Sequence, residues 1–315
     1  MLLGMDIGGT QIKAATVDET GTIARSLRAD TPASLDEFRQ TVLQLIRELS
    51  SFGTALRAIG IGCKGIISPE TTRVEVLPGT LHYLEGQVLS EIVAPALPAD
   101  AVVAADNDAR VALAGEITWG AARQRRNVVM LTLGTGVGGG VVADGRILRG
   151  AAGVAGHLGH LNVDPDGVPC ICGNRGCLET VFSARAIESE ASAAIHRGVE
   201  SRLLAWSAKP PTCAEVFDLA QQGDAVAADI IRKAIHVLAA AVAGLIFVFD
   251  PEIVILGGQI SEAGDTLLRP VRTEVRARTQ GYLRREIPVV RSTLVDPSGV
   301  IGAAALALEA GRRQV

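Results

Sequence analysis

Between Gly156 and Glu179 the chain reads GHLGHLNVDPDGVPCICGNRGCLE, and this stretch limits what the rest can build. Cys170, Cys172 and Cys177 fall within eight residues, ten positions after His160. Three thiolates and one imidazole are the ligand set of a closed, tetrahedral structural zinc site. Gly173 and Gly176 stand between the thiols, where a tight knuckle needs backbone freedom that a Cβ removes. The competing reading is a chance group of buried cysteines. Against it, the other two, Cys63 and Cys213, lie far from the cluster and from each other.

At the start of the chain an apolar run, Leu3 to Ile7, ends in Asp6-Ile7-Gly8-Gly9-Thr10. Ile12 to Val17 follows at once, and Glu19-Thr20-Gly21 turns the chain into Thr22 to Leu27. Strand, glycine turn, strand predicts a hairpin. A Walker loop or a dinucleotide fingerprint would have to open a helix. Gly8 and Gly9 would still let the backbone approach a phosphate, Thr10 adds a hydroxyl, and Asp6 can hold a hydrated magnesium ion. Taken alone, the motif reads first as a plain tight turn. Val128 to Leu133, then Gly134-Thr135-Gly136-Val137-Gly138-Gly139-Gly140 and Val141-Val142, repeat the device. The recurrence predicts two related halves. Two such hairpins facing one another across a cleft could hold the phosphates of one nucleotide.

The remaining elements follow from periodicity and caps. Ser34 to Leu49 is an amphipathic helix with a Ser34/Glu37 capping box. Ala58 to Gly62 is a buried strand, and Cys63-Lys64-Gly65 leaves its carboxyl end, where open α/β sheets present ligands. Val102 to Ala105 likewise delivers Asp106-Asn107-Asp108 to a helix, Ala109 to Glu116. Asn and Asp are favoured helix caps. A carboxylate at that place could equally accept a proton from a substrate hydroxyl. The residues alone leave both readings open. Ser183 to Ile195 and Cys213 to Gln221 read as surface helices, and Asp224 to Phe249 as a long helix, apolar nearly all round and therefore buried. Ile253 to Leu256 is a strand that delivers Gly257-Gly258, and Asp296 to Ala310 is a closing helix that packs back on the first domain.

The whole chain excludes several classes. Its 315 residues suffice for two domains with sizeable cores. A formal charge of −4 gives no polybasic footprint for nucleic acid, and Arg123, Arg125 and Arg126 read as a solvated loop. No secretory signal is visible. The longest apolar stretch, Ala234 to Phe249, carries His236 and falls short of the roughly 20 residues of a membrane span. Cysteines grouped as metal ligands, with two left over, suit a reducing, cytoplasmic setting.

The run GHLGH followed by CxCGxxGCxE resembles the signature of the ROK family of sugar kinases and sugar-responsive repressors. The resemblance runs from Asp6 to the last helix. It implies an α/β chain with a two-domain actin-like ATPase (ribonuclease H-like) fold and a cleft between the domains. Residues 1–117 with 298–315 would form an N-terminal sugar/phosphate domain, and 118–297 a C-terminal nucleotide- and zinc-binding domain. Zinc would be structural, held by His160, Cys170, Cys172 and Cys177. Sugar contacts would come from Gly65, Asn107, His157, His160 and Glu179, with Asp108 as the catalytic base. Phosphates and Mg2+ would be held by Asp6, Gly8, Gly9, Thr10, Gly134, Thr135 and Gly136, and adenosine by Gly257 and Gly258.

The activity implied is transfer from ATP to the 6-hydroxyl of a hexose, as in glucokinase. Small-molecule sugar and ATP would be its partners, in a homodimer or homotetramer, with no nucleic acid and no membrane. Polyphosphate would use similar loops. His157 stands where family glucokinases usually carry a sugar-binding glutamate, which keeps N-acetylmannosamine kinase as the alternative. Cys63 and Lys64 also depart from the family's small or proline residues. A non-catalytic sugar sensor is the reading of another class. The family's repressors carry a helix-turn-helix ahead of the first hairpin, where only Met1 to Met5 stand here. A zinc hydrolase fares worse, because four protein ligands leave no position for water.

Overall fold

Alternation along the first strand decides how the N-terminal unit is layered. The computed structural model describes residues 1–51, 56–294 and 298–313. The chain divides into two compact units, one of Met1–Gln124, Ile147–Gly156 and Thr293–Val315, the other of Arg125–Arg146 and His157–Ser292. The first begins with β1 (Leu2–Ile7), β2 (Gln11–Val17), β3 (Ile23–Asp30), α1 (Leu35–Ser50) and β4 (Ala58–Cys63). β5 (Ile66–Ile67), β6 (Val74–Val76), α2 (Leu89–Val93), β7 (Val102–Asn107) and α3 (Asp108–Thr118) follow. The sheet order is β3-β2-β1-β4-β7, antiparallel on either side of β2 and parallel from β1 to β7.

Successive side chains point to opposite faces of a strand. Leu3, Met5 and Ile7 therefore join Phe38, Val42, Ile46 and Leu49 of α1 in one core, while Leu2, Ala15 and Val17 face the other layer. Helix α1 starts where its capping residues predict. The Ser34 side chain accepts the Glu37 N–H, and its hydroxyl donates to the Glu37 carboxylate at 2.9 Å.

The second unit repeats the plan. It contains β8 (Val128–Leu133), β9 (Val137–Ala143), β10 (Arg146–Ile147), α4 (Leu178–Val181), α5 (Ala184–His196), α6 (Cys213–Gln221), α7 (Ala225–Phe249), β11 (Ile253–Gly257), α8 (Asp265–Thr279) and β12 (Val289–Arg291). The order is β10-β9-β8-β11-β12, with β9 antiparallel to β8 and with β11 and β12 parallel to it. Both sheets thus run third, second, first, fourth, fifth. These are the two related halves that the recurring glycine hairpin foretells.

Helix α7 differs from the expectation in two ways. The stretch from Ala234 belongs to a 25-residue helix that is long and apolar enough, by length and composition, to cross a membrane. Within its most apolar window 56% is buried inside the protein, as in a core helix. Nor is it buried all round. His236, Ala240, Gly244, Phe247 and Val248 form an exposed stripe, because a helix packed on one layer covers one face only.

The chain closes with α9 (Ser298–Arg313), which returns to the first unit as expected. Residue 296, its expected start, lies outside the described residues. Gly4 and Gly60 face each other in the β1–β4 register. A Cβ on either would run into the α9 backbone, at Val300 and Ala303 respectively. Two glycines and the buried Ala303, Ala304 and Ala307 let this helix lie directly on the sheet.

Candidate active site

Parallel register aligns the first group of candidate residues. Asp6, Gly62 and Asp106 form one row across β1, β4 and β7, and Ile7, Cys63 and Asn107 the next. One residue further, Gly8, Lys64 and Asp108 leave the carboxyl edge of the sheet, the edge at which open α/β sheets bind ligands. The first turn is tied by Gly8 N–H donating to Gln11 O at 3.0 Å. Thr31 secures it further, with its hydroxyl donating to Gly8 O at 2.8 Å and its N–H to Thr10 O at 2.9 Å. Gly9 and Thr10 are left exposed.

Asn107 is the N-cap of α3. Its Oδ1 accepts the N–H groups of Ala109 and Arg110, and its Nδ2 donates to Gly65 O at 3.0 Å. Gly65 has φ +95, and a Cβ there would strike the Val76 carbonyl. Asp108 is the first residue of α3. It is exposed, and its Oδ1 accepts the Ala109 N–H at 2.9 Å. The protein crowded around this carboxyl raises its pKa, opposed by the Ala109 N–H and the Lys64 charge.

Asp6 is pushed up to about 6 by burial and by the Asp108 charge, with Lys13 opposing. Gly299 in the first turn of α9 makes room for this carboxylate, which a Cβ would overlap. A carboxyl raised by a second carboxylate beside it fits a divalent cation held by Asp6. Cys63, whose role the residues left open, is fully buried, and burial drives its thiol far up, so it stays protonated and unreactive.

Motif reasoning missed the network beneath this edge. Asp106 and Arg110 are each 1% exposed, and Arg110 Nε donates to Asp106 Oδ1 at 2.7 Å. Arg149 Nε donates to the other carboxylate oxygen at 2.8 Å. Arg110 Nη1 donates to the carbonyls of Gly153 and Ala155, each at 2.9 Å. The network anchors the segment 149–155 to the start of α3. The pair Asp106/Arg110 at i, i+4 across a helix start was a signal open to reading; Arg149, far along the chain, had none.

In the second unit, Gly134-Thr135-Gly136 joins β8 to β9, with Gly134 N–H donating to Gly136 O at 3.0 Å. Gly134 O accepts the Ala184 N–H at 2.8 Å. Gly257 pairs with Thr132 in register, and Gly258, with φ +78, lies against the Leu133 backbone. The two glycine loops are therefore neighbours at one sheet edge.

The four expected metal ligands come together. The donor atoms of His160, Cys170, Cys172 and Cys177 all lie within 4.8 Å of one another. Cys172 Sγ and Cys177 Sγ are 3.7 Å apart, and Cys170 Sγ and His160 Nδ1 3.5 Å. A tetrahedral zinc with bonds of about 2.3 Å to sulfur and about 2.0 Å to nitrogen has edges of about 3.8 and about 3.5 Å. The donor set therefore fits the metal. The turn Leu158–His160 lies flat on β9, and a Cβ on Gly159 would strike the Val137 carbonyl. Gly176, with φ +58, lets the knuckle close on Asp164.

His160 directs Nδ1 at the thiols, and the His157 ring stacks parallel to it with centroids 6.3 Å apart. Glu179 Oε1 lies 3.1 Å from Cys170 Sγ, and a Cβ on Gly136 would stand 2.8 Å from Oε2. Glu179 thus lies between the thiol cluster and the glycine turn.

Comparison with known proteins agrees with this geometry. The chain is 37% identical to the glucokinase of Thermotoga maritima, over 98% of this chain and 97% of that one. It is 34% identical to the N-acetylmannosamine kinase of Yersinia pseudotuberculosis, over 96% of each. A solved ROK family glucokinase from Streptomyces griseus, in complex with glucose and AMPPNP, superposes with a TM-score of 0.84 at 32% identity, covering 98% of this chain and 99% of that one. The actin-like α/β fold class expected from the sequence is borne out. The sequence model of the ROK family matches residues 2–310, and with the thiol–imidazole knuckle and both glycine hairpins in place, the chain belongs to that family.

Proposed function

We propose that this chain transfers the γ-phosphoryl group of ATP to the 6-hydroxyl of a hexose, glucose before others. The observation that carries the reading is Asp108, an exposed carboxylate whose backbone is fixed by the Asn107 cap beside a glycine turn. A sugar hydroxyl is a poor nucleophile, and Asp108 accepts its proton as the phosphoryl group arrives. A raised pKa makes that carboxylate a stronger base.

Asn107 keeps a second amide hydrogen for a sugar oxygen, and Gly65 shapes the loop that supports it. Glu179, His157 and the Nε2 of His160 are assigned to sugar hydroxyls. The backbone N–H groups of Gly9, Thr135 and Gly136 and the Thr10 hydroxyl hold phosphate oxygens, Gly8 and Gly134 close the two turns with their own N–H groups, and Gly257 and Gly258 lie against adenosine. Asp6 would hold Mg2+, which neutralises charge developing on the phosphates. His160, Cys170, Cys172 and Cys177 would hold Zn2+ as a structural ion, since four protein ligands leave no open position. Residues 1–117 with 298–315 would serve the sugar and phosphate, and 118–297 the nucleotide and zinc. The working form would be a cytoplasmic homodimer or homotetramer.

The full-length similarity to glucokinase supports glucose. The second reading, N-acetylmannosamine, is favoured by His157 and by the full-length similarity to a kinase for that sugar. Neutral histidine offers one donor and one acceptor where glutamate offers two acceptors. ADP release, coupled to a recording enzyme, with glucose, mannose, fructose, N-acetylglucosamine and N-acetylmannosamine separates the two. Highest kcat/KM on glucose is expected; turnover confined to N-acetylmannosamine favours the second reading, and no turnover on any sugar removes both.

A further inference from the structure

Charge is not spread evenly over this chain. Residues 265–291 carry seven arginines and three acidic residues, in a protein whose formal net charge is −4. Helix α8 and the strand that follows it enclose an open cavity of about 520 Å³. That volume is within the range of small-molecule sites. Arg272, Arg276, Arg284 and Arg285 all line it, against Glu286 as the lone acid in the lining.

These four arginines divide into two pairs. Arg272 and Arg285 serve the wall: Arg272 Nε donates to Val289 O at 2.7 Å, and Arg285 donates to Pro251 O at 3.2 Å and to the Asp250 carboxylate at 2.5 Å. The guanidinium groups of Arg276 and Arg284 have no hydrogen-bond or ion-pair partner among the described residues. Two acids outside the lining are committed elsewhere. Glu274 is held by His236 and Arg278, and Asp250 by Arg285.

Arg272 and Arg276 are one helical turn apart, an arrangement of like charges that costs stability unless an anion sits between them. Planar guanidinium groups match phosphate oxygens two at a time. Leu283 and Ile287 give the cavity an apolar wall for the remainder of a ligand.

We propose that this cavity binds a small phosphorylated anion, with Arg276 and Arg284 as the phosphate-holding forks. None of its residues belongs to the phosphoryl-transfer machinery described above, so the site stands whether or not the kinase reading holds. Two sources share the chemistry, a free phosphate ion and a phosphate monoester such as a sugar phosphate.

Titration calorimetry on the full chain, with inorganic phosphate, glucose 6-phosphate and glucose as separate ligands, tests the proposal. An Arg276→Ala/Arg284→Ala variant should lose at least tenfold in affinity for the phosphorylated ligand that wild type binds. Its melting temperature without ligand and its response to glucose should stay unchanged. An Arg276→Lys/Arg284→Lys variant should fall between, since lysine keeps the charge without the fork. Tighter binding of glucose 6-phosphate would name the monoester as the ligand, and equal binding the free ion. Affinities unchanged in the alanine variant, or no binding of either phosphate at millimolar concentration, would overturn the proposal.

Discussion

Replacing Arg110 by Met removes the centre of the most buried charge network described. Asp106 and Arg110 are each 1% exposed, and Arg110 holds one carboxylate oxygen and two backbone carbonyls. Met fills most of the volume but supplies no donor. Asp106 keeps the Asn107 N–H, at 2.8 Å from Oδ1, and Arg149, whose side chain is 22% exposed and therefore partly screened. Removing one partner of a buried pair costs about 3–5 kcal/mol, most of it the desolvation left on the surviving charge. Because Arg149 stays, a loss of about 3 kcal/mol is expected in urea unfolding.

Asp106→Asn alone should cost a similar amount, and the double variant less than the sum. A coupling energy above about 1.5 kcal/mol in the double-mutant cycle would mark the pair as one unit. The capped turn carrying Asp108 begins at the same residues, so kcat should fall in parallel. A loss below about 1 kcal/mol, or additive single effects, would refute the reasoning.

Other outcomes follow from single observations. Chelation, or Cys172→Ser, should lower metal content from about one zinc per chain to none and cost several kcal/mol, read by elemental analysis and circular dichroism. Gly60→Val drives a side chain into the α9 backbone and should prevent soluble expression, whereas Gly244→Ala on the open face of α7 should raise unfolding free energy by about 0.5–1 kcal/mol. Protein crowded around the Asp108 carboxyl raises its pKa, so the folded protein is stabilised by its protonated form and loses that share as pH rises through the folded pKa. Asp108→Asn should therefore be the more stable protein at pH 8 in thermal melts, with the gap closing as pH falls toward 4.

The legible parts of the sequence were those where one residue type does one job. Ser34 with Glu37 marked a helix start, three cysteines and His160 marked a knuckle, and the repeated strand–glycine turn–strand marked two halves of one plan. Helix α8 and β12 gave weaker signals. The helix carries Pro270 inside it and few apolar residues, and the strand spans only three positions. Gly4 and Gly60 looked like interruptions of apolar runs; their role depends on a helix at the far end of the chain, which no local pattern records. The Asp106–Arg110–Arg149 network was hidden for the same reason, since its third member comes from a distant segment.

The sharpest test of the kinase account is phosphorylation of glucose by wild type and Asp108→Asn, with glucose binding measured on both. The account predicts a fall in kcat of about 10²–10⁴-fold, the usual contribution of a positioned base, with glucose affinity within about threefold of wild type. Undiminished turnover in the variant would contradict it.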